Sequence, residues 1–252
     1  MQTFNTKYGN ITLRTNEKYI STEFKCGRYW DEDTLLKLRP YINPNRNILE
    51  IGGQCGTSSI VYASYLNPGK QLYVYEPQKN MYNLLLRNIE QNKLQDKIIP
   101  TNAGVFCYSG TGRMNGTDLD GGGGNVEKRY NEESHLDCNF GGVGLGNDGE
   151  TITLTTIDDM NLSNIGFIHC DAQGSENFIF SKGLELIKRC RPVILYENID
   201  LYGTYLYDVI CESYPAYKAE SKFDIKTYCM ETLHYTQYIK QFNGGMDSLL
   251  IP

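Results

Sequence analysis

Acidic and amide side chains follow two apolar segments of the sequence and could carry out chemistry together. Asp171 comes directly after residues 166–170, and Glu197 and Asn198 follow residues 192–196. Both segments have the composition of buried strands, and ligands of open α/β sheets bind at the carboxyl ends of the strands. Carboxylate and amide oxygens are the ligands that Mg²⁺ prefers. One hypothesis is a magnesium site formed by Asp171, Glu197 and Asn198; the alternative is that both carboxylates position a substrate or cap backbone N–H groups.

A histidine two residues before Asp171 could supply a base. Because successive side chains of a strand alternate between its two sides, His169 and Asp171 are expected on the same side. Imidazole titrates near neutral pH and can accept the proton of a reacting hydroxyl. The alternative, which the sequence slightly favours, is a hydrogen-bonded core histidine near the end of the sheet. His135 and His234 are expected to be exposed to solvent or to belong to a lid.

A glycine-rich turn after an apolar run predicts a nucleotide-binding unit. Residues 47–56 read Asn-Ile-Leu-Glu-Ile-Gly-Gly-Gln-Cys-Gly, and residues 57–65 have a helical pattern. A strand, a tight turn and a helix in this order open a nucleotide-binding α/β sheet. About twenty residues further on, a second apolar segment ends in Glu76 and Pro77, where an acidic side chain can accept both hydroxyls of an adenosine ribose. The two signals together predict a cofactor that contains adenosine.

The spacing of the glycines separates the candidate cofactors. A dinucleotide fold needs the pattern G-x-G-x-x-G. In this register the three glycine positions are occupied by Gly52, Gln54 and Thr57, so two of the three glycines are missing. The Gly-Lys-Ser/Thr of a phosphate-binding P-loop does not occur in the sequence. S-adenosylmethionine (SAM) has no phosphate, so Gly52 and Gly56 could let the backbone approach its methionyl part while Glu50 faces its amine. The alternative is a turn that only connects a strand to a helix.

Three motifs resemble those of one enzyme family. Residues 50–56 (Glu-Ile-Gly-Gly-Gln-Cys-Gly) are similar to the Asp-x-Gly-Ala-Asn-x-Gly turn of the FkbM-type methyltransferases, which use SAM. Glu76-Pro77, with Asn80 and Asn88, resembles the Glu-Pro segment of that family and the helix that follows it. These two motifs occur in the family's order.

The third motif is the most specific. Residues 168–183 resemble the family's Lys-Ile-Asp-x-Gln/Glu-Gly-x-Glu signature, and the resemblance extends from about residue 27 to residue 198. Two departures are Gln54 in place of Asn and His169 in place of Lys. The resemblance implies that Asn102 and Ala103, at the end of the third strand, contact the adenine. The turn pattern and the resemblance give the candidate cofactor-binding residues Glu50, Gly52, Gly53, Gln54, Gly56, Glu76, Pro77, Asn102, Ala103 and Asp171.

Composition limits the partners. The net charge of −6 argues against a nucleic-acid backbone as the main partner. No apolar stretch is long enough to span a membrane, and residues 1–10 lack the apolar core of a signal peptide. Eight cysteines show neither a C-x-x-C pair nor zinc spacing, so we expect reduced thiols and a cytoplasmic protein.

The 252 residues fit one structural unit. We predict a helical cap over residues 1–46, with a helix at 33–38, and a SAM-dependent methyltransferase domain over 47–252. Its glycine-rich insertion, about residues 104–150, is either a partly disordered surface loop or an active-site lid. Tyr29 and Trp30 either wall the cofactor pocket or pack the cap onto the sheet.

Alternating strands and helices predict a Rossmann-like α/β fold with a seven-stranded, mostly parallel sheet and helices on both faces. A C-terminal antiparallel hairpin is expected from residues 223–231 and 248–252. The other predicted strands are 48–51, 71–75, 98–102, 151–155 (an edge strand), 166–170 and 192–196, and the other predicted helices are 57–66, 80–91 and 175–183.

The resemblance implies a SAM-dependent O-methyltransferase that acts on a hydroxyl of a sugar, a glycan or a similar small polyhydroxylated acceptor. Mg²⁺ is a possible second cofactor, and a homo-oligomer is possible. Two alternatives stay open: transfer to an RNA ribose or to a nitrogen acceptor, and an inactive SAM-binding scaffold protein.

Overall fold

The computed structural model describes residues 1–120, 123–131, 137–198 and 205–252. The strands are β1 (Gln2–Thr6), β2 (Gly9–Leu13), β3 (Asn47–Ile51), β4 (Leu72–Tyr75), β5 (Ile98–Thr101), β6 (Gly104–Val105), β7 (Gly110–Arg113), β8 (Thr151–Thr155), β9 (Ile165–Cys170), β10 (Val193–Glu197), β11 (Gln237–Ile239) and β12 (Asp247–Ile251). The helices are α1 (Ile20–Lys25), α2 (Glu32–Leu38), α3 (Thr57–Tyr65), α4 (Lys79–Gln91), α5 (Val126–Asn131), α6 (Glu176–Ser181), α7 (Leu184–Cys190), α8 (Tyr205–Ser213) and α9 (Ile225–Thr227).

The main sheet has seven strands in the order β11-β12-β10-β9-β3-β4-β5. The strands from β10 to β5 are parallel to one another, and β12 runs antiparallel to both of its neighbours. This is the predicted Rossmann-like α/β fold with a mostly parallel sheet. Apart from the C-terminal hairpin and the first forty-six residues, the bounds of the predicted elements differ from the observed ones by at most two residues.

Both faces of the sheet are covered, as the continuous burial of β3, β9 and β10 requires. Alternate residues of the central strands belong to two separate apolar clusters: Phe167 packs with α3 and α4, whereas Ile168 packs with α7. Since side chains of a strand alternate between its faces, Glu50 and His169 lie on the face that α3 and α4 cover.

The predicted C-terminal hairpin is correct in kind but wrong in place. β11 and β12 form an antiparallel pair. Residues 223–231 instead contain α9 and most of a π-helical turn, Tyr228–Thr232. The Asp224 side chain accepts a hydrogen bond from the Lys226 N–H and starts this helical segment. Ile225 and Cys229, four residues apart, are then buried on one helical side.

The N-terminal region contains a β-hairpin that the prediction of a helical cap missed. β1 and β2 pair in antiparallel fashion before α1 and α2. Asn88 of α4 holds β2 in place: its side chain bonds both the N–H and the C=O of Thr12 and also donates to the Cys55 C=O. One buried amide therefore joins the hairpin, α4 and the glycine-rich turn.

Much of the glycine-rich insertion is ordered around a second small sheet. β8, predicted as an edge strand, pairs with β6 and β7 outside the main sheet. His135, a candidate lid residue, lies outside the described residues. In the described ranges, no helix combines the length and the apolar composition needed to cross a bilayer.

Replacing Asn88 with Ala should strongly destabilise the fold. The change removes four hydrogen bonds, one of them from the Gln91 side chain, and leaves buried backbone groups of Thr12 and Cys55 without partners, which we expect to lower the free energy of unfolding by about 3 kcal/mol. Urea unfolding measures this. Asn5→Ala, which removes only an exposed side-chain bond to Asn10, is the control, and an equal effect of both changes would refute the role given to Asn88.

Candidate active site

A cavity of about 270 Å³ lies at the carboxyl ends of the main-sheet strands. Consecutive strands each contribute a residue at or beside this end: Glu76 after β4, Gly52 after β3, Asp171 after β9, Glu197 in β10 and Asp247 in β12. Neighbouring strands lie about 4.8 Å apart, so the cavity extends over about 19 Å along the sheet edge from β4 to β12.

The N-terminal region and the glycine-rich insertion form the opposite walls. Trp30 and Asp31 line the cavity from the N-terminal side, and residues 141–145 line it from the insertion. The two walls are joined by backbone bonds: the Lys18 N–H donates to the Cys138 C=O at 3.0 Å, and the Cys138 N–H donates to the Asn16 C=O at 2.9 Å. The insertion therefore forms one wall of the cavity and is bonded to the opposite wall.

The glycine-rich turn is pressed against the end of β9. Gly52 has a φ of +88°, and a Cβ atom at this position would lie 1.9 Å from the backbone oxygen of Asp171. A Cβ on Gly53 would lie 2.1 Å from a methyl carbon of Val74. Gly56, also at a φ of +88°, meets Leu85 of α4. Only glycine at residue 52 lets β3 and β9 end side by side at the floor of the cavity.

Glu76 is a buried carboxylate held by the backbone. Its two oxygens accept hydrogen bonds from the N–H groups of Gln54 and Gln78, both at 2.8 Å, and the residue is 3 % exposed. Burial raises the pKa of the Glu76 carboxyl to about 7, although the two N–H groups oppose the shift. Each carboxylate oxygen keeps one further acceptor position. Glu76 can thus receive two hydroxyl groups from a ligand in the cavity.

The predicted cofactor-binding residues separate into two sets. Those that line the cavity are Gly52, Gly53, Gln54, Glu76, Pro77 and Asp171. Glu50, Gly56, Asn102 and Ala103 are not among the lining residues. The Asn102 side chain instead donates to the backbone oxygens of Glu76 and Pro77, both at 2.9 Å, and so stabilises the turn after β4.

Glu50 faces the protein interior rather than a ligand. It is fully buried, its carboxylate accepts hydrogen bonds from the hydroxyls of Ser58 and Ser59, and one oxygen lies 3.7 Å from Nδ1 of His169. The expectation that it would face the amine of a cofactor does not match this placement. Glu50 instead fixes the start of α3 and the imidazole of His169.

His169 lines the cavity and is also anchored in the core. Nδ1 lies 3.3 Å from the Tyr62 hydroxyl, on the side of Glu50. Burial alone would lower the pKa of the His169 imidazole, but the Glu50 carboxylate outweighs it and the pKa is raised. No hydrogen bond to Nε2 occurs within the described parts of the chain. His169 therefore has one nitrogen for orientation and one that can serve a ligand.

Gln173 connects the two carboxylates of the predicted metal site. Its Nε2 donates to Asp171 at 2.9 Å and to Glu197 at 3.1 Å. Asn198 does not line the cavity, and its amide donates to Tyr238 and Ser248 on β11 and β12. Over the described residues, no group of three or more His, Cys, Asp and Glu side chains could hold a metal ion. The predicted magnesium site is not supported, because Asn198 is occupied elsewhere and an amide N–H group lies where a cation would bind.

Four acidic residues in or beside the cavity were missed in the sequence: Asp31 and Asp120, which line it, and Asp247 and Glu176. Asp247 lies directly opposite Glu197 in the β10–β12 pair, and nothing in the sequence reveals that register. Glu176 appears in the sequence as an ordinary first-turn residue of a helix, yet it is 2 % exposed and accepts the Ala172 N–H at 2.7 Å. Burial raises the pKa of Glu176 to about 8. By this hydrogen bond its carboxyl group stabilises the loop after Asp171.

A family model describes most of this chain. The model of the methyltransferase FkbM domain matches residues 50–242. The chain belongs to the FkbM methyltransferase family. The family resemblance carried by the three motifs is thereby confirmed, and residues 50–242 form a methyltransferase domain of this family. No curated protein gives a significant sequence match to it.

Several solved structures that are distant in sequence resemble this FkbM-family chain. An FkbM methyltransferase of Methylobacillus flagellatus is 17% identical with a TM-score of 0.42, and the match covers 67% of this chain but only 38% of that one. An O-methyltransferase of Bacillus cereus in complex with SAH is 17% identical with a TM-score of 0.48, covering 95% and 84%. The O-methyltransferase TomG of Streptomyces achromogenes, in complex with SAM, is 14% identical with a TM-score of 0.46, covering 92% and 85%.

Replacing Gly52 with Ala should disrupt both the fold and the cofactor site of this FkbM-family protein. The new Cβ would collide with the Asp171 backbone, so we expect a loss of about 3 kcal/mol in unfolding free energy together with loss of SAM binding. Urea unfolding and calorimetric titration of SAM measure the two effects.

Gly69→Ala is the matched control. Gly69 has a similar φ of +78°, but no atom lies within 4 Å of the position that a Cβ would take there. This change should therefore cost only the backbone strain of about 1 kcal/mol and leave SAM binding intact. If both variants behave alike, the contact between β3 and β9 is not what requires glycine at residue 52.

Proposed function

We propose that this FkbM-family protein is an O-methyltransferase that transfers the methyl group of SAM to a hydroxyl of a sugar, a glycan or a similar small polyhydroxylated acceptor. The observation that carries the proposal is one continuous cavity with Glu76 near one end and His169 further along. Glu76 suits a ribose, and His169 suits a hydroxyl that must lose its proton.

The residues proposed to hold SAM lie along β4, β3 and β9. Glu76 would accept the two ribose hydroxyls, because its oxygens keep free acceptor positions. The backbone at Gly52 and Gly53 would approach the methionyl part, and Asp171 would face the ammonium group. SAM supplies an already activated sulfonium methyl group, so the protein must mainly align the acceptor with it.

His169 is proposed to take the acceptor proton. Glu50 and Tyr62 hold the Nδ1 side of the ring, which leaves Nε2 for the acceptor hydroxyl. The hydroxyl oxygen forms its bond to the methyl carbon as the carbon–sulfur bond breaks, and the proton passes to Nε2. Because the imidazole accepts a proton only when it is neutral, activity requires a pH above the raised pKa of His169.

The lining of the cavity does not favour RNA as the acceptor. Among the described residues that line it, six carry carboxylates and none is Lys or Arg, whereas nucleic-acid binding relies on cationic contacts to phosphates. An inactive scaffold protein would need no anchored histidine beside the cofactor site. We also propose the cytoplasm as the compartment, since all eight cysteines are free thiols and seven of them are buried.

SAM affinity should depend on pH through Glu76. The carboxylate binds two hydroxyls best when ionised, so affinity should fall as the pH drops through about 7, the pKa that burial gives Glu76. In Glu76→Gln we expect binding about tenfold or more weaker at high pH and no such pH dependence. Calorimetric titration across this pH range measures both. Unchanged affinity in Glu76→Gln would exclude Glu76 as the ribose ligand.

Methyl transfer should follow the ionisation of His169. We expect kcat to rise with pH through the raised pKa of His169, and His169→Asn to lower kcat by about a hundredfold or more. Glu50→Gln removes the negative neighbour, so the profile should move to lower pH. His234→Asn, which changes an exposed histidine, is the control. A wild-type pH profile in His169→Asn would show that another group takes the proton.

A further inference from the structure

We propose that the acceptor carries a protonated amino group beside the hydroxyl that is methylated, and that Asp31 and Asp247 bind this group at the β9–β12 end of the cavity. The acceptor would then be an amino sugar or a similar amino alcohol. This proposal rests on the proposed function, because it concerns the acceptor half of the same cavity.

The first observation is the distribution of charge. The carboxylates that line the cavity within the described residues are Asp31, Glu76, Asp120, Asp171, Glu197 and Asp247. His169 is the basic residue among them, and neither Lys nor Arg is present in this described lining. SAM carries one net positive charge, so it and a protonated His169 compensate only part of this negative charge. An acceptor that brings a positive charge would complete the compensation.

The second observation is the register of the strands. Glu197 and Asp247 are directly opposite one another in the antiparallel β10–β12 pair, an arrangement in which two like charges destabilise a sheet. Asp171 follows the strand on the other side of β10 and shares the Gln173 amide with Glu197. Burial raises the pKa of Asp247 to about 6; His169 opposes this shift and Asp171 adds to it. Asp171, Glu197 and Asp247 thus lie at the same end of three neighbouring strands. Their mutual repulsion destabilises the empty cavity, and a bound cation would relieve it.

The third observation is a pair of buried oxygen atoms without partners. Ser175 is 1 % exposed and Gln173 is 8 % exposed, and both line the cavity. Neither Oγ of Ser175 nor Oε1 of Gln173 has a hydrogen-bond partner among the described residues. Gln173 must direct its Nε2 toward the two carboxylates, so its Oε1 is left as an acceptor. An ammonium group has three donors and no acceptor, which matches these oxygen atoms together with the carboxylates.

The carboxylates also indicate which acceptor atom reacts. Neighbouring negative charges stabilise the protonated form of an amine, and a protonated nitrogen has no lone pair with which to attack the methyl group. The amino group therefore serves for binding, and a hydroxyl near His169 is the atom that is methylated. A phosphorylated acceptor such as a nucleotide sugar would instead meet carboxylates without a basic counterpart in the described lining.

The test uses Trp30, the single tryptophan of the chain, which lines the cavity. With the cofactor site saturated by SAH so that no reaction occurs, tryptophan fluorescence is followed while sugars are added in matched pairs. The pairs are glucosamine, galactosamine and the chitosan disaccharide, each against its N-acetylated form. We expect at least one amine to bind about tenfold or more tightly than its neutral partner, and added salt to weaken this preference.

Asp247→Asn should remove most of the preference for the amine, and Asp31→Asn, on a different element, should reduce it as well. Asp33→Asn is the control, because Asp33 belongs to the helix that follows Asp31 but does not line the cavity. Thermal unfolding shows which variants are folded. If Asp247→Asn does not fold, Asp31→Asn still tests the proposal.

Equal or weaker binding of every amine relative to its acetylated partner overturns the proposal, as does a preference that survives both substitutions. If SAM binds and neutral sugars are methylated without any preference for amines, only this inference fails. If SAM does not bind at all, the proposed function itself fails.

Discussion

The close contact between the ends of β3 and β9 is the constraint on which the site depends. The Asp171 N–H donates to the Ile51 C=O at 3.0 Å, and the Asp171 oxygen occupies the space where a side chain of residue 52 would be. This contact sets the floor of the cavity. It also fixes the two halves relative to each other, since Glu76 is held by the turn that follows β3 and Gln173 belongs to the loop that follows β9.

Buried charge is concentrated around the same contact, and each group has a different partner. Glu76 is held by backbone N–H groups, Glu50 by two serine hydroxyls and a histidine, and Glu176 by the Ala172 N–H. Because a buried carboxylate is costly unless it is hydrogen-bonded, these bonds are what allow so many acids in a small volume. Asp171 and Asp247 keep fewer partners and, like Glu76, line the cavity.

The sequence predicts well what depends on local patterns. The apolar strands, the glycine turn and Glu76 follow from runs of neighbouring residues, and so the sheet and part of the cavity lining can be derived from them. It predicts poorly what depends on pairing between distant segments. Asp247 reaches Glu197 only through the β10–β12 register, and the β1–β2 hairpin has a weak alternation because Thr12 is buried to meet Asn88. Glu50 faces the interior, against expectation, because α3 supplies two serine hydroxyls to its carboxylate.

The two walls of the cavity are joined by main-chain atoms of residues 16, 18 and 138. Such bonds do not depend on the identity of the side chains, although the side chains of Arg14 and Asn16 add bonds to the backbone oxygen of Arg129. The main-chain link between the walls is therefore separable from the composition of the lining: substitutions in the lining can change the shape and charge of the cavity while these bonds remain. Only proline at residue 18 or 138, which lacks the N–H group, would remove one of these bonds directly. A chain built in this way can change the residues of its cavity without losing the main-chain bonds that hold the two walls together.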